Sequence, residues 1–210
     1  MIASESKKII LSIICIALLI IAFVGVSYAA FTTVLTDSNS NGLSTGTISL
    51  ILDNQGEAIS MKNSMPISDE EGKQLSGDGN VYDFSVQTVL APNTTINYEI
   101  SAEKIDSESN ELVLDNQSVK LYLQKLESNG YVDTAITKVP QPFTPLDSDS
   151  FLGSKMGSMV LYSGTFSNTT DQSKEIQEAF RLRFWVDKNA IIDSVSREFN
   201  IKLNVTAKAI

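Results

Sequence analysis

The sequence predicts an all-β body: a two-sheet antiparallel sandwich of jelly-roll or immunoglobulin-like kind, with one or two short helices, preceded by an N-terminal hydrophobic helix. Three observations predict it. Beyond Phe31 the apolar residues recur with a period of two rather than 3.6. Turn-forming residues punctuate these runs at short intervals. A single uncharged apolar run, residues 9–26, precedes everything else and differs from it in composition.

Lys7 and Lys8 lead into that run, and the first charge after it is Asp37. As a helix rising about 1.5 Å per residue it spans about 27 Å, close to the hydrocarbon thickness of a bilayer. Its backbone polar groups are all satisfied internally, so it can enter lipid. Basic flanks stay cytoplasmic, and the chain beyond the helix is expected outside the cell. Two readings of residues 1–29 stand side by side. Ser27 and Ala29, followed by Ala30, supply small residues where a signal peptidase cuts, which makes a cleaved leader with Ala30 or Phe31 as the new N-terminus. The apolar core exceeds the roughly 7–15 residues usual in a leader, which suits a retained single-pass anchor. Under both, residues 30–210 are one extracellular domain, and the membrane is reached only through the helix.

The strands come in order. Residues 47–52 are continuously apolar enough to be a central strand. Tyr82, Phe84, Val86, Thr88 and Leu90 alternate with polar residues, as do Ile96, Tyr98, Ile100 and Ala102, and Ala91-Pro92-Asn93 between them reads as the loop of an antiparallel hairpin. Val119, Leu121 and Leu123 form the next alternating run. Ser128-Asn129-Gly130 marks another hairpin turn, with strand segments after it at 131–132 and 135–139. Residues 159–166 read as a second central strand. Residues 171–179 (DQSKEIQEA) carry good helix formers behind an acidic start and predict a short helix, and 188–195 hold a further turn. Phe180, Leu182, Phe184 and Val186, then Phe199, Ile201, Leu203, Val205 and Ala207, complete the set. Residues 55–79, 106–111 and 140–158 read as loops. Seven to ten strands in two sheets are expected.

The chain has 42% hydrophobic residues, enough for a core, and 16 basic against 25 acidic residues, a net charge of −9. Removing residues 1–29 takes away Glu5, Lys7 and Lys8 and leaves 24 acids against 14 bases. So acidic a surface repels phosphate and anionic lipid, which argues against nucleic-acid partners and peripheral membrane binding. Cys15, the one cysteine, lies in the apolar run, so residues 30–210 cannot form a disulfide. Ile14 before it does not suit a lipoprotein site.

There is no histidine. That removes HExxH zinc chemistry, Ser-His-Asp and Cys-His nucleophiles, and His-ligated copper or iron. The acids fall in loops or on wet strand faces and do not assemble the paired carboxylates of a glycosidase. No catalytic residue and no enzyme activity are expected. No cofactor is expected either. Calcium is the cation most compatible with oxygen ligands outside the cell, with Ser76–Asn80 and Asp147–Ser150 as candidate loops, but neither has the twelve-residue EF-hand pattern. Arg181, Arg183 and Trp185 share one strand face and read first as a packed surface stripe, second as a ligand patch. The Asn-x-Ser/Thr sequences at Asn93, Asn116, Asn168 and Asn204 read as coincidence in a chain rich in those residues.

Two short stretches carry a resemblance. Ala29-Ala30-Phe31-Thr32-Thr33, a polar spacer, and Leu43-Ser44-Thr45-Gly46-Thr47-Ile48-Ser49-Leu50 resemble the processing junction of the TasA/camelysin family, with its small-residue site, "AF" start and G-T-(I/L)-x-L strand. Arg181-Leu182-Arg183-Phe184-Trp185-Val186-Asp187 is similar to that family's "RLRIWLD"-like strand. The resemblance implies a jelly-roll-like sandwich, export in a Gram-positive bacterium, cleavage by a SipW-type signal peptidase at Ser27, Ala29 and Ala30, and a role in biofilm-matrix fibres. The camelysin branch is metalloprotease-like, and the missing histidine keeps that activity from being carried over. Phe31, Thr33, Val34 and Leu35 then form an uncharged, β-prone assembly arm that can add to an open sheet edge of a second copy, giving head-to-tail fibres. The arm can equally fold back as the first strand of its own domain. The leading expectation is an exported structural or surface subunit; the alternative is a membrane-anchored extracytoplasmic binding module.

Overall fold

Strands with one apolar face must hide that face, and here they do so in two sheets packed against each other. The computed structural model describes residues 43–45, 48–52, 59–62, 64–76, 79–106, 112–191 and 197–209. The N-terminal hydrophobic helix expected from the sequence lies outside these residues. Among them are twelve strands, more than expected: β1 (Leu43–Thr45), β2 (Ile48–Leu52), β3 (Ile59–Lys62), β4 (Val81–Leu90), β5 (Thr94–Ile105), β6 (Leu112–Val113), β7 (Val119–Glu127), β8 (Gly130–Asp133), β9 (Gln141–Pro142), β10 (Ser158–Asn168), β11 (Lys174–Val186) and β12 (Arg197–Ala209). The larger sheet runs β1-β2-β4-β11-β7-β8, with β9 also on β7; the smaller runs β10-β5-β12-β3, with β6 on β12. All pairings are antiparallel except β6 with β12. The all-β, two-sheet sandwich is therefore the fold.

The period-two pattern decides what is buried. Phe84 and Val86 of β4, Leu121 and Leu123 of β7, and Phe180, Leu182, Phe184 and Val186 of β11 face Ile96, Tyr98 and Ile100 of β5 and Phe199, Ile201 and Leu203 of β12. Aromatic rings fill this interface: Tyr162 of the smaller sheet meets Phe180 of the larger at 5.1 Å between centroids, and Tyr98 stacks on Phe166 at 4.4 Å within the smaller sheet.

Several expectations are corrected. Residues 171–179 do not form a helix, because β11 begins at Lys174 and runs ten pairs along β4, from Lys174↔Leu90 to Arg183↔Val81. Helix preferences of a few tenths of a kcal/mol per residue yield to a continuous ladder and to the anchors along it. One helical turn lies instead at Asp69–Lys73 (α1), in the stretch read as a loop, which also holds β3. Ser68 accepts from the Glu71 backbone at 3.3 Å while the Glu71 carboxylate accepts from the Ser68 backbone at 2.9 Å, a reciprocal cap. A second short turn, a 3-10 turn, lies at Asn116–Ser118. Residues 135–139 are a turn and not a strand. The Thr137 hydroxyl accepts from Leu123 N at 2.8 Å and donates to Leu123 O at 2.9 Å, so a side chain takes the place of a strand partner. The 128–130 turn does join β7 to β8 as a hairpin, with Gly130 at φ 113.

The largest correction concerns β4 and β5. They are not a hairpin: one belongs to each sheet, and β10 to β11 crosses between the sheets in the same way. No Asn-Gly or Asp-Gly pair closes the 91–93 corner, where Asn93 sits at φ 52. Asn93 N donates to Thr170 O at 3.2 Å, tying the two crossovers together. The buried Asn168 amide completes the tie, donating to Leu90 O, Ala91 O and Gln172 O at 3.2, 3.0 and 2.8 Å and accepting from Thr170 N at 3.1 Å. Replacing Asn168 with Ala strands buried carbonyls, and Asn168→Asp sets an acceptor-only carboxylate against them. Urea unfolding is expected to show a loss of about 1–3 kcal/mol for Ala and a larger one for Asp at neutral pH, narrowing as the carboxylate is protonated in acid.

Candidate functional site

Three features could carry function: the outer face of the larger sheet around β11, the acidic loops, and the edge of the smaller sheet. Each is built from residues the sequence singled out.

β11 alternates strictly at its C-terminal end, so Arg181, Arg183 and Trp185 leave the core side and face outward together. They do not form an exposed stripe. Trp185 is fully buried beneath α1. A Cβ added at Gly72 would lie 2.2 Å from Trp185 Cε2, so glycine is what lets the helix rest on the indole. Arg183 is 9% exposed, donating from Nε to Leu75 O at 2.8 Å and from Nη1 to Gln124 Oε1 at 2.6 Å. Arg181 forms a two-pronged pair with Asp83 at 2.6 Å on each prong and lies 4.3 Å from the Tyr131 ring centroid. The Tyr122 hydroxyl donates to Asp133, and Lys120 joins Asp69 and Asp187 at 2.9 and 2.8 Å.

The electrostatics are set by these contacts. The hydrogen bond from Arg181 holds Asp83 below the usual carboxylate range, and the Tyr122 hydroxyl does the same for Asp133. Burial pushes the Tyr122 phenol up, with the bond to Asp133 adding to it. Burial pulls the Arg183 guanidinium down. Lys120 stands above its ordinary value: burial works against its charge, but bonds to Asp187 and Asp69 outweigh it. These groups answer one another and bind α1 and β8 to the sheet. Chemically the cluster is a brace, with no acid–base pair poised for transfer.

Among the described residues no three His, Cys, Asp or Glu side chains come together in a way that could hold a metal ion. Of the calcium candidates, 76–80 lies partly outside those residues. In 147–150, the Asp149 carboxylate accepts from Met156 N at 2.9 Å and pairs with Lys155 at 3.0 Å, and the Ser150 hydroxyl donates to Glu99. Those oxygens are spent on holding the loop. Asn168, one of the four glycosylation-like sequences, is buried.

The edge is different in kind. β10, read from sequence as central, is an outer strand: among the described residues it pairs only with β5. It is eleven residues long, SMVLYSGTFSN, without a charge or a proline. Exposed sheet edges are ordinarily blunted by charge, proline or shortness, and β10 carries only a register shift between Val160 and Tyr162. The residues expected to be processed (Ser27, Ala29, Ala30) and to form the arm (Phe31, Thr33, Val34, Leu35) lie outside the described residues. Among the described residues no helix is long and apolar enough to cross a membrane. Sequence reasoning missed the lid over Trp185, although Ser68-Asp69-Glu70-Glu71 spells the S-x-x-E capping signal.

No protein-family model matches the chain, and no curated protein matches it. Among solved structures, that of TmCBM61 in complex with beta-1,4-galactotriose is similar at 6% identity, over 80% of this chain and 86% of that one, with a TM-score of 0.21. At that TM-score the likeness carries no argument about ligand or fold.

Two outcomes test the brace. Gly72→Ala gains about 1 kcal/mol in helix preference on an open surface, so a net destabilisation in urea unfolding reports the indole contact. Acid is the other probe. Asp83, Asp133 and Asp187 have folded pKa values below their unfolded ones, so their contribution is present above the ordinary carboxylate range, about pH 4, and is lost as pH falls through the folded values. Unfolding midpoints taken from pH 6 down to pH 2 are expected to fall, and Arg181→Ala flattens that slope by returning Asp83 to its ordinary range.

Proposed function

We propose that this chain is an exported structural subunit of the bacterial surface or biofilm matrix, without enzymatic activity, that assembles with copies of itself by strand addition. Residues 1–29 deliver it across the membrane, a signal peptidase cuts beside Ala29 and Ala30, and the arm carrying Phe31, Thr33, Val34 and Leu35 adds to a sheet edge of the next copy. The junction and β11 motifs of the TasA/camelysin family are the sequence support for this reading.

The observation that carries it is the edge of β10. An eleven-residue edge strand with no charge and no proline is a template for another strand, and natural monomers avoid leaving one open. The arm is its chemical match: uncharged, β-prone and free of proline. A contact between two different surfaces does not close on itself, so repetition gives a filament. The brace on the opposite sheet fits a subunit that bears tension, because its charged groups are consumed internally.

The alternative of a membrane-anchored binding module shares the body and differs in the fate of the helix. N-terminal sequencing of the product from cells distinguishes them: Ala30 or Phe31 at the start supports the subunit, and an intact leader supports the anchor. Assembly is then read by electron microscopy of the processed protein. Fibres are expected, and Ser163→Lys on β10 or deletion of residues 30–36 is expected to leave monomers, with the Ser163→Lys stability within about 0.5 kcal/mol of the parent. Processed protein that stays monomeric under fibre-forming conditions, or fibres untouched by both changes, overturns the assembly.

A further inference from the structure

Lys104 departs from the pattern of its strand. Tyr98, Ile100 and Ala102 of β5 point into the core, and Lys104 is the next residue on that side. Its ammonium, half-buried, is held against the body: Nζ lies 4.8 Å from the centroid of the Phe199 ring and donates to Leu114 O at 3.2 Å. The third contact is the closest, 2.7 Å to the side-chain carbonyl oxygen of Asn116. Among the described residues no ion pair within 4.0 Å engages this lysine.

Asn116 is held where it is by the turn that contains it. The Asp115 carboxylate accepts from Gln117 N at 2.8 Å, and Ser118 N donates to Asp115 O at 3.0 Å, fixing the 3-10 turn that feeds β7. The turn follows β6, which lies in the smaller sheet with β5, and leads into β7 of the larger sheet.

We propose that Lys104 and Asn116 join in an intramolecular isopeptide bond that ties β5 covalently to the turn leading into β7. The uncharged amine attacks the Asn116 carboxamide carbon; the Nζ–Cγ bond forms, the Cγ–Nδ2 bond breaks, and a proton lost from Nζ goes to the departing nitrogen, which leaves as ammonia. No oxidant, reductant or cofactor is consumed. Burial lowers the pKa of Lys104 from its ordinary value, against the charges of Asp115 and Asp106, and so favours the nucleophilic form. Residues 30–210 hold no cysteine, and this bond supplies the kind of cross-link a disulfide would, by a route that redox conditions do not touch.

Mass spectrometry decides the matter. The intact protein, expressed as the full chain and kept folded at neutral pH, is expected to weigh one ammonia less than its sequence, or than its processed sequence if the leader is cut. A digest is expected to contain one branched peptide holding both residues. Lys104→Arg and Asn116→Ala are each expected to remove the deficit and the branched peptide. The full sequence mass in the parent protein overturns the proposal. So does a deficit that persists in Lys104→Arg with linear peptides only, since that is a succinimide at Asn116. Both readouts are independent of whether the protein forms fibres.

Discussion

The C-terminal half of β11 has two dry faces, and the rest of the molecule is arranged to supply them. On one side Phe180, Leu182, Phe184 and Val186 enter the interface between the sheets. On the other, Trp185 and Arg183 are covered although they stand on the outside of the sandwich. A strand buried on both faces needs a cover as well as a partner sheet. Here the cover is a single helical turn whose Gly72 leaves room for the indole, held down by Lys120 through Asp69 and by the Leu75 carbonyl on Arg183. The bonds flanking this strand, Arg181 with Asp83 on β4 and Arg183 with Gln124 on β7, connect it sideways to both neighbours. The arginines are therefore structural fasteners, and the charge on that face is already committed.

What could be read from the residues was which side chains share a face. Alternation in 82–90, 96–102, 119–123 and 199–207 marked the inward set almost residue for residue, because side-chain direction on a strand is fixed by geometry. What could not be read was which strand lies beside which. The 91–93 corner separates two strands close in sequence that point their apolar residues at each other from opposite sheets, and alternation is the same for a hairpin and for such a crossover. The deciding group, Asn168, is remote in the chain. Residues 171–179 failed for a related reason. Their polar, helix-favouring character reflects a strand whose inward positions near that end include Glu178, paired with Lys125 at 2.8 Å and bonded to the Tyr98 hydroxyl, so the hydrophobic signal fades while the ladder continues. Of the candidate site, the shared face of Arg181, Arg183 and Trp185 was legible and its burial was not, since the lid comes from a stretch more than a hundred residues earlier.

Residues 30–210 hold no cysteine, so no disulfide fastens the body. It relies on a continuous dry interface, on corners closed by one buried amide, and on hydroxyls such as that of Thr137 filling gaps in a ladder. That suits a body proposed to act outside the cell by shape. The two sheets differ accordingly: one carries a brace in which charges are matched by counterparts, and the other ends in a strand with no charge at all.

The ladders that define both sheets join positions far apart in the chain. Asp83 meets Arg181 across 98 residues, and Glu103 meets Asn204 across 101. Few native contacts can therefore form until nearly all of the polypeptide is present, and a topology of this kind folds slowly. A newly made chain stays extended for a comparatively long time. Were the chain exported as proposed, that delay would be useful: the same long-range pairing that makes the finished sandwich firm would keep the precursor pliable until its last strand had emerged.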